Sequence, residues 1–209
     1  MRKHIVFDFD GTLVDTTKVI VKVYNELADQ YKLKRLSQEE FQNIMNLTLR
    51  QKMKALEVSI FKVLRMRRIG QEFKEKYKSY LGTVDFCDGV LEVARQLEDK
   101  GYVLSILTSN SELNITYYLN SKQINLFQHI RSSKGLMGKD QAIKKYMKEH
   151  QLSNQELIYI GDEVRDIQAC KRNNVEVIAV SWGIYSRDLL LSEEPNYLID
   201  DPHEIIKII

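Results

Sequence analysis

Three observations predict an α/β chain built on a parallel sheet with helices on both faces. Short apolar runs recur along the sequence, amphipathic helical patterns lie between them, and acidic or hydroxyl residues follow several of the runs. One region breaks the alternation. Residues 17–81 carry helical periodicity and no convincing strand, so a helical segment is expected as an insert after the first strand.

The first strand is expected over 4–9, where the apolar run IVF ends in Asp8 and Asp10. The insert follows, with amphipathic patterns in TTKVIVKVYNELADQY and RIGQEFKEKYKSYL, and Asp15 stands where it can cap the first of these helices. In DGVLEVARQLEDKG, Val90, Leu91, Val93, Ala94 and Leu97 form one stripe, with Asp88 at the N-cap position and Gly101 beyond the end. Strands are expected at 102–108, 129–132, 157–160 and 175–181, with a shorter edge candidate at 197–199. KDQAIKKYMKEH repeats the helical stripe through Ala142, Ile143, Tyr146 and Met147. On this reading 1–16 and 82–209 form an α/β core, and 17–81 forms a separate helical domain.

With 209 residues the chain suffices for one large domain or one domain with an insert. Its 44% apolar and 29% charged residues are ordinary for a soluble globular protein, and a net charge of +2 gives no grounds for a nucleic-acid or membrane partner. No run approaches the roughly 20 apolar residues of a membrane span, and the basic N-terminus has too short an apolar run for a secretory signal, so a cytoplasmic location is expected. Cys87 and Cys170 make neither a disulfide framework nor a metal spacing and read as small buried apolar residues. His4, His129, His150 and His203 show no ligand spacing, and Trp182 reads as packing in preference to substrate stacking. Charge is unevenly spread: 15 Lys+Arg against 7 Asp+Glu over 18–81, and 16 against 22 elsewhere. Both a solvated basic helix face and a positive lid that attracts an anionic substrate fit this excess.

Ligands of open parallel sheets bind beyond the carboxyl ends of the strands. That edge receives Asp8 and Asp10 from the first run, Thr108, Ser109 and Asn110 from the second, and Gly161, Asp162, Glu163 and Asp166 after LIYI. Carboxylates are depleted from buried positions unless paired, so their recurrence at one edge points to a cation or a reacting group. Oxygen ligands on a rigid backbone suit Mg²⁺, with Asp8 and Asp162 as candidate ligands. One Asp8 oxygen is then a candidate nucleophile toward phosphorus, and Asp10, two residues on, a candidate general acid/base. Thr108 and Ser109 suit phosphoryl oxygens, and Lys139, at a helix start after a glycine, is a candidate to balance the charge. Asp166 is open to capping or to pairing with Arg165 or Lys139.

Taken together, DFDGTLVDT, SILTSN, GKDQAIKKYM and YIGDEVRDI resemble the four ordered motifs of the haloacid dehalogenase superfamily, most closely its phosphoglycolate-phosphatase-like hydrolases. The resemblance covers nearly the whole chain, and DxDGT with GDxxxD far downstream is its most specific part. It implies a Rossmann-like core with a helical cap. It implies Asp8 as nucleophile and Mg²⁺ ligand, and Asp10 as acid/base with its main-chain carbonyl on the metal. Thr108 and Lys139 correspond to the phosphate-holding pair, Asp162 to the third metal ligand, and Asp166 to a carboxylate that orients Lys139 or the metal's waters, with Glu163 near the metal or a water. Members that cleave carbon–halogen bonds lack the second aspartate of the first motif; Asp10 is present, which argues against that chemistry. QNIMNLTLRQKM aligns with a cap loop that usually carries glycine, where Asn46 stands instead, and Arg50 in that loop is a candidate for the far end of a substrate. The expected function is Mg²⁺-dependent hydrolysis of a small phosphorylated metabolite through an aspartyl-phosphate. A phosphosugar mutase and a non-catalytic phosphoaspartate switch or anion-binding protein are the alternatives.

Overall fold

A computed structural model of the chain describes residues 4–47, 49–56, 60–133 and 138–209. The chain runs β1 (His4–Phe7), α1 (Thr17–Tyr31), α2 (Gln38–Met45), α3 (Leu49–Ala55), α4 (Ile60–Leu81) and α5 (Val90–Asp99). It continues through β2 (Val103–Thr108), α6 (Glu112–Ser121), β3 (His129–Ser132), α7 (Gly138–Glu149), β4 (Leu157–Gly161) and α8 (Val164–Asn173). It closes with β5 (Glu176–Val180), α9 (Arg187–Ser192), β6 (Tyr197–Ile199) and α10 (Ile205–Ile208). The six strands form one parallel sheet in the order β3-β2-β1-β4-β5-β6. This is the Rossmann-like arrangement, whose order reverses between β1 and β4 and opens a crevice at their carboxyl ends.

Strand alternation divides the core into two layers. Val6, Leu107, Leu157, Tyr159, Val177 and Ala179 face the helical side chains Ile143, Tyr146, Ile167, Ala169, Cys170 and Leu190 of α7, α8 and α9. The alternate residues Ile5, Phe7, Leu104, Ile106, Ile158, Ile160, Ile178 and Val180 are buried on the opposite face, where α5 packs against β2. Each such side chain contributes about 1.5–3 kcal/mol on burial, which fixes the strand register that aligns the polar edge.

The helical insert is observed. Contacts divide the chain into two compact units, one holding the described residues up to Asp15 together with Asp85–Ile209, the other Thr16–Val84. In the second unit α1 packs on α4, and Glu26 accepts from Lys76 Nζ (2.8 Å) and the Tyr80 hydroxyl (2.7 Å). Lys34, Arg35, Arg68 and Lys76 are paired with carboxylates inside this unit, so part of its basic excess is neutralised locally. Among the described residues no helix is long and apolar enough to cross a membrane.

Two capping expectations differ from the structure. α5 begins after Gly89 at φ +75°, not after Asp88, because glycine supplies the left-handed turn into the helix. α1 is preceded by Thr16 at its N-cap position, with no side-chain cap bond, and not by Asp15.

Three histidines with no spacing signal meet at the amino-terminal end of the sheet. The His129 and His150 rings lie 4.2 Å apart between centroids, and His4 and His150 5.2 Å apart. The Tyr146 hydroxyl bonds His4 Nδ1 (2.8 Å) and Ser105 Oγ (2.7 Å), and Arg131 pairs with Glu149 beside them (3.3 Å). Burial, then His150 and Arg131, push the His129 pKa below its ordinary value, with Glu149 opposing. The unfolded chain therefore takes up this proton first as pH falls. The contribution of His129 is complete above the unfolded value of about 6.5 and is lost as pH falls through it toward the lower folded value. Thermal unfolding of wild type and His129→Gln across this window checks this: the midpoint of the variant should fall less steeply on acidification. Identical slopes would show that His129 does not titrate differently on unfolding.

Candidate active site

Asp8 is the first residue beyond β1, yet its N–H still donates to Ile160 O of β4 (2.8 Å), which pins it at the switch point. The chain then turns sharply: Leu13 N and Val14 N donate to Phe9 O (3.0 and 3.1 Å), and Gly11 takes φ +79°. A Cβ at Gly11 would run into the Asp162 carboxylate, so the turn that carries Asp10 can lie against Asp162 only with glycine there. Gly183, in the loop after β5, also packs against Asp162 with the same exclusion. Asp162 follows β4 and is fully buried; Thr12 Oγ1 donates to its Oδ1 and Ile184 N to its Oδ2, both at 2.8 Å.

Lys139, on the first turn of α7, enters from the side. Its Nζ lies 2.6 Å from Asp8 Oδ2, also contacts Asp166 Oδ1, and lies 3.6 Å from Glu163 Oε2. Asp166 Oδ2 accepts from Glu163 N (3.2 Å), so the start of α8 is tied to the same group. Oxygens of Asp8, Asp162 and Asp166 all lie within 4.8 Å of one another.

The electrostatics follow from burial. Desolvation raises the Asp8 pKa in spite of the pull of Lys139. Asp162 is raised well above the carboxylate range by burial, then by Glu163 and Asp8. Burial opposes the Lys139 charge, but Asp166, Asp8 and Glu163 outweigh it and hold the ammonium protonated. Burial would raise Glu163 too, yet Lys139 and Arg165 keep it below its ordinary value. Among the described residues Asp162 has no Lys or Arg ion-pair partner. A buried carboxylate with two donors and no cation, facing the oxygens of Asp8, fits a hard divalent cation such as Mg²⁺. Only oxygen donors converge there, which disfavours the sulfur and nitrogen chemistry of zinc sites.

The family model described as haloacid dehalogenase-like hydrolase matches residues 5–180. The chain belongs to this family. Among curated relatives, a phosphoglycolate phosphatase of Synechococcus elongatus is 25% identical over 206 residues, covering 98% of this chain and 96% of that one. The pyrophosphatase PpaX of Bacillus mycoides is 21% identical, covering 98% and 95%. Among solved structures, a haloacid dehalogenase-like hydrolase of Streptococcus pneumoniae superposes with a TM-score of 0.85 at 21% identity, covering 99% of this chain and 98% of that one, a likeness of fold.

Within this hydrolase, Asp8, Lys139, Asp162, Glu163 and Asp166 come together from three separate stretches of sequence. Thr108 ends β2, fully buried, with its Oγ1 accepting from Asn110 N (3.1 Å). Asp10 is half-buried, and its Oδ2 accepts from Asn110 Nδ2 (3.4 Å). Ser109 is exposed and accepts from Arg165 Nη2 (3.2 Å). Arg50 is exposed on α3 in the helical unit. Of the partners open to Asp166, Lys139 is the one observed; Arg165 instead grips Glu163 through Nε and Nη2. Trp182 donates to Thr12 O (3.1 Å), a packing role against the loop after β1. The sequence does not single out Thr12, whose signal is its place directly after DFDG, and it offers Arg165 only as a partner for Asp166, whereas the fold gives Arg165 to Glu163.

The glycine contacts are testable by opposite signs. Gly183→Ala forces a methyl into Asp162 and should destabilise the protein by about 1–3 kcal/mol. Gly70→Ala, in α4 where a Cβ meets nothing within 4 Å, should stabilise by about 0.5–1 kcal/mol. Calorimetric melting of the two variants reads both. An unchanged midpoint for Gly183→Ala would mean that Asp162 can move aside.

Proposed function

We propose that the protein is an Mg²⁺-dependent phosphatase of small phosphomonoesters that works through an aspartyl-phosphate on Asp8. The observation that carries this reading is the buried Asp8 carboxylate, ion-paired to Lys139 on one side and facing the cation-free Asp162 carboxylate on the other. In the proposed assignment Asp8, Asp162 and the main-chain carbonyl of Asp10 hold Mg²⁺. Asp166 orients Lys139. Thr108 receives phosphoryl oxygens, Ser109 binds the substrate beside it, and the helical unit, with Arg50, acts as a cap that chooses the substrate. When bound, the ion neutralises the facing carboxylates and draws charge from the phosphoryl oxygens.

The residues would act in two steps. An Asp8 oxygen attacks phosphorus, the bond to the leaving oxygen breaks, and Asp10 gives that oxygen its proton. Asp10 then takes a proton from water, the water oxygen attacks the same phosphorus, and the Asp8–phosphorus bond breaks to release phosphate. Lys139 balances the charge that builds on the phosphoryl oxygens without moving, because Asp8 and Asp166 already fix it. Glu163 is committed to Arg165 and approaches Lys139, so it is assigned to the support of these cations and not to the metal. Two relatives carry names for substrates with a second anionic group beside the scissile bond, phosphoglycolate and pyrophosphate, which supports a small and highly charged substrate.

Phosphate release from a panel of phosphomonoesters, with Mg²⁺ and with excess chelator, tests the reading. Turnover should require the ion. Asp8→Asn should abolish it, because an amide is a poor nucleophile. Asp10→Asn should slow release by about 10²–10⁴-fold and accumulate a hydroxylamine-sensitive adduct on Asp8. Full turnover in chelator, or by Asp8→Asn, would overturn the assignment. Return of phosphate to a second sugar hydroxyl would favour a mutase, and an intact protein inert toward the whole panel would favour a non-catalytic switch.

A further inference from the structure

Arg165 is bound on one side only. Its Nε and Nη2 engage the Glu163 carboxylate, with Nη2 to Oε1 at 2.8 Å, and Nη2 also donates to Ser109 Oγ at 3.2 Å. Among the described residues Nη1 has no partner. Ser109 follows β2, and Arg165 lies on the first turn of α8 beyond β4. Because β2 and β4 are the two neighbours of β1, the Arg165–Ser109 bond crosses the carboxyl end of β1, where Asp8 stands. Lys139 forms the floor of this place and Arg165 its rim: the side chains are 3% and 33% exposed.

We propose that Arg165 and Ser109 form a second anion subsite, which receives a negatively charged group on the leaving-group side of the substrate. A guanidinium that holds a carboxylate through Nε and Nη2 keeps its Nη1/Nη2 end open to a second anion. Ser109 Oγ accepts from Arg165, so its own hydrogen is available to donate to that anion. The transferred phosphoryl group itself must reach Asp8, whose Oδ2 is 2.6 Å from Lys139. Glu163 stands between Lys139 and Arg165, so the guanidinium lies one carboxylate farther out than the ammonium. Asp8, Asp162, Glu163 and Asp166 repel an incoming anion at the rim, and Arg165 is a cation placed there to offset them. The subsite therefore favours phosphoryl compounds whose leaving group carries a carboxylate or a further phosphate over those whose leaving group is uncharged.

This inference rests on the phosphatase reading, and the test separates the two. Steady-state kinetics of the full chain with Mg²⁺ should compare wild type, Arg165→Ala and Arg165→Lys on p-nitrophenyl phosphate, 2-phosphoglycolate and pyrophosphate. Arg165→Ala should lower kcat/KM for a charged-leaving-group substrate relative to that for the aryl phosphate by about 10–100-fold, through KM more than kcat. Arg165→Lys keeps the charge without the fork and should fall between; it also provides the comparison if the alanine variant does not fold. The substrate with the larger selective loss identifies the anion as carboxylate or phosphate. Equal losses on all three substrates, or none, would overturn the subsite, since a residue that only supports Glu163 cannot distinguish leaving groups. Wild-type turnover of the aryl phosphate without preference for either charged substrate would also overturn it while leaving the phosphatase reading intact. No turnover of any of the three substrates by wild type would overturn both.

Discussion

The site depends on one ammonium group held between Asp8 and Asp166 in the interior of the protein. Burying any of these charges alone is costly, and removing one partner of such a cluster typically costs about 3–5 kcal/mol because the others are left unpaired. The three groups come from the end of β1, the start of α7 and the start of α8, so the ion cluster also holds those elements in register. A nucleophile placed this way is fixed before any substrate arrives. The stability given up to desolvation is recovered only when positive charge is complete around it.

That requirement explains the features around Asp162. This carboxylate lies across the switch point from Asp8, satisfied by Thr12 and Ile184 N but out of reach of Lys139's ion pairs. Gly11 and Gly183 let two backbone segments close on it. The result is one face of the cluster balanced by the protein's own cation and one face shaped for a cation from solution. Farther out, Arg165 and Glu163 extend the alternation of charge to the rim. From floor to rim the order is cation, carboxylate and cation, namely Lys139, Glu163 and Arg165, and in the proposed reading the outer cation orients a small polyanion with its reacting end at Asp8.

Much of this was legible in the chain because it follows from local pattern. The apolar runs located all six strands, with β3 and β6 matching at both ends and the others shifting by one or two residues. Parallel strands alternating with helices bring every strand's carboxyl end to one edge, so Asp8, Thr108 and Asp162 could be grouped before any coordinates. Lys139 was within reach because a lysine at a helix start after glycine has few structural reasons to be there. Pairings across the sheet were not legible. Whether Arg165 would turn to Asp166 or to Glu163 depends on side-chain directions in the first turn of α8, and Asp166 was already taken by Lys139. The His4–His129–His150 group is joined only by strand order and by the end of α7, so no spacing along the chain could have announced it. At α5, a good capping residue misled because the adjacent Gly89 made the turn that decided where the helix begins.

The most direct measurement concerns the fate of oxygen. If Asp8 attacks phosphorus and water then attacks the same phosphorus, the carboxylate keeps both of its own oxygens and one solvent oxygen enters the released phosphate. If water instead attacks the acyl carbon of the intermediate, solvent oxygen enters Asp8. Multiple turnovers in ¹⁸O-water, followed by mass spectrometry of released phosphate and of the peptide containing Asp8, separate the routes. A complementary single-turnover run with Asp8 carboxyl-labelled protein fixes which bond breaks.

 The bond that breaks in the second step is the one between phosphorus and the Asp8 oxygen. The account therefore predicts one solvent oxygen in each released phosphate, no solvent oxygen in the Asp8 carboxylate, and full retention of the label by labelled Asp8. Solvent oxygen accumulating in Asp8, or labelled oxygen passing from Asp8 into phosphate, would contradict it.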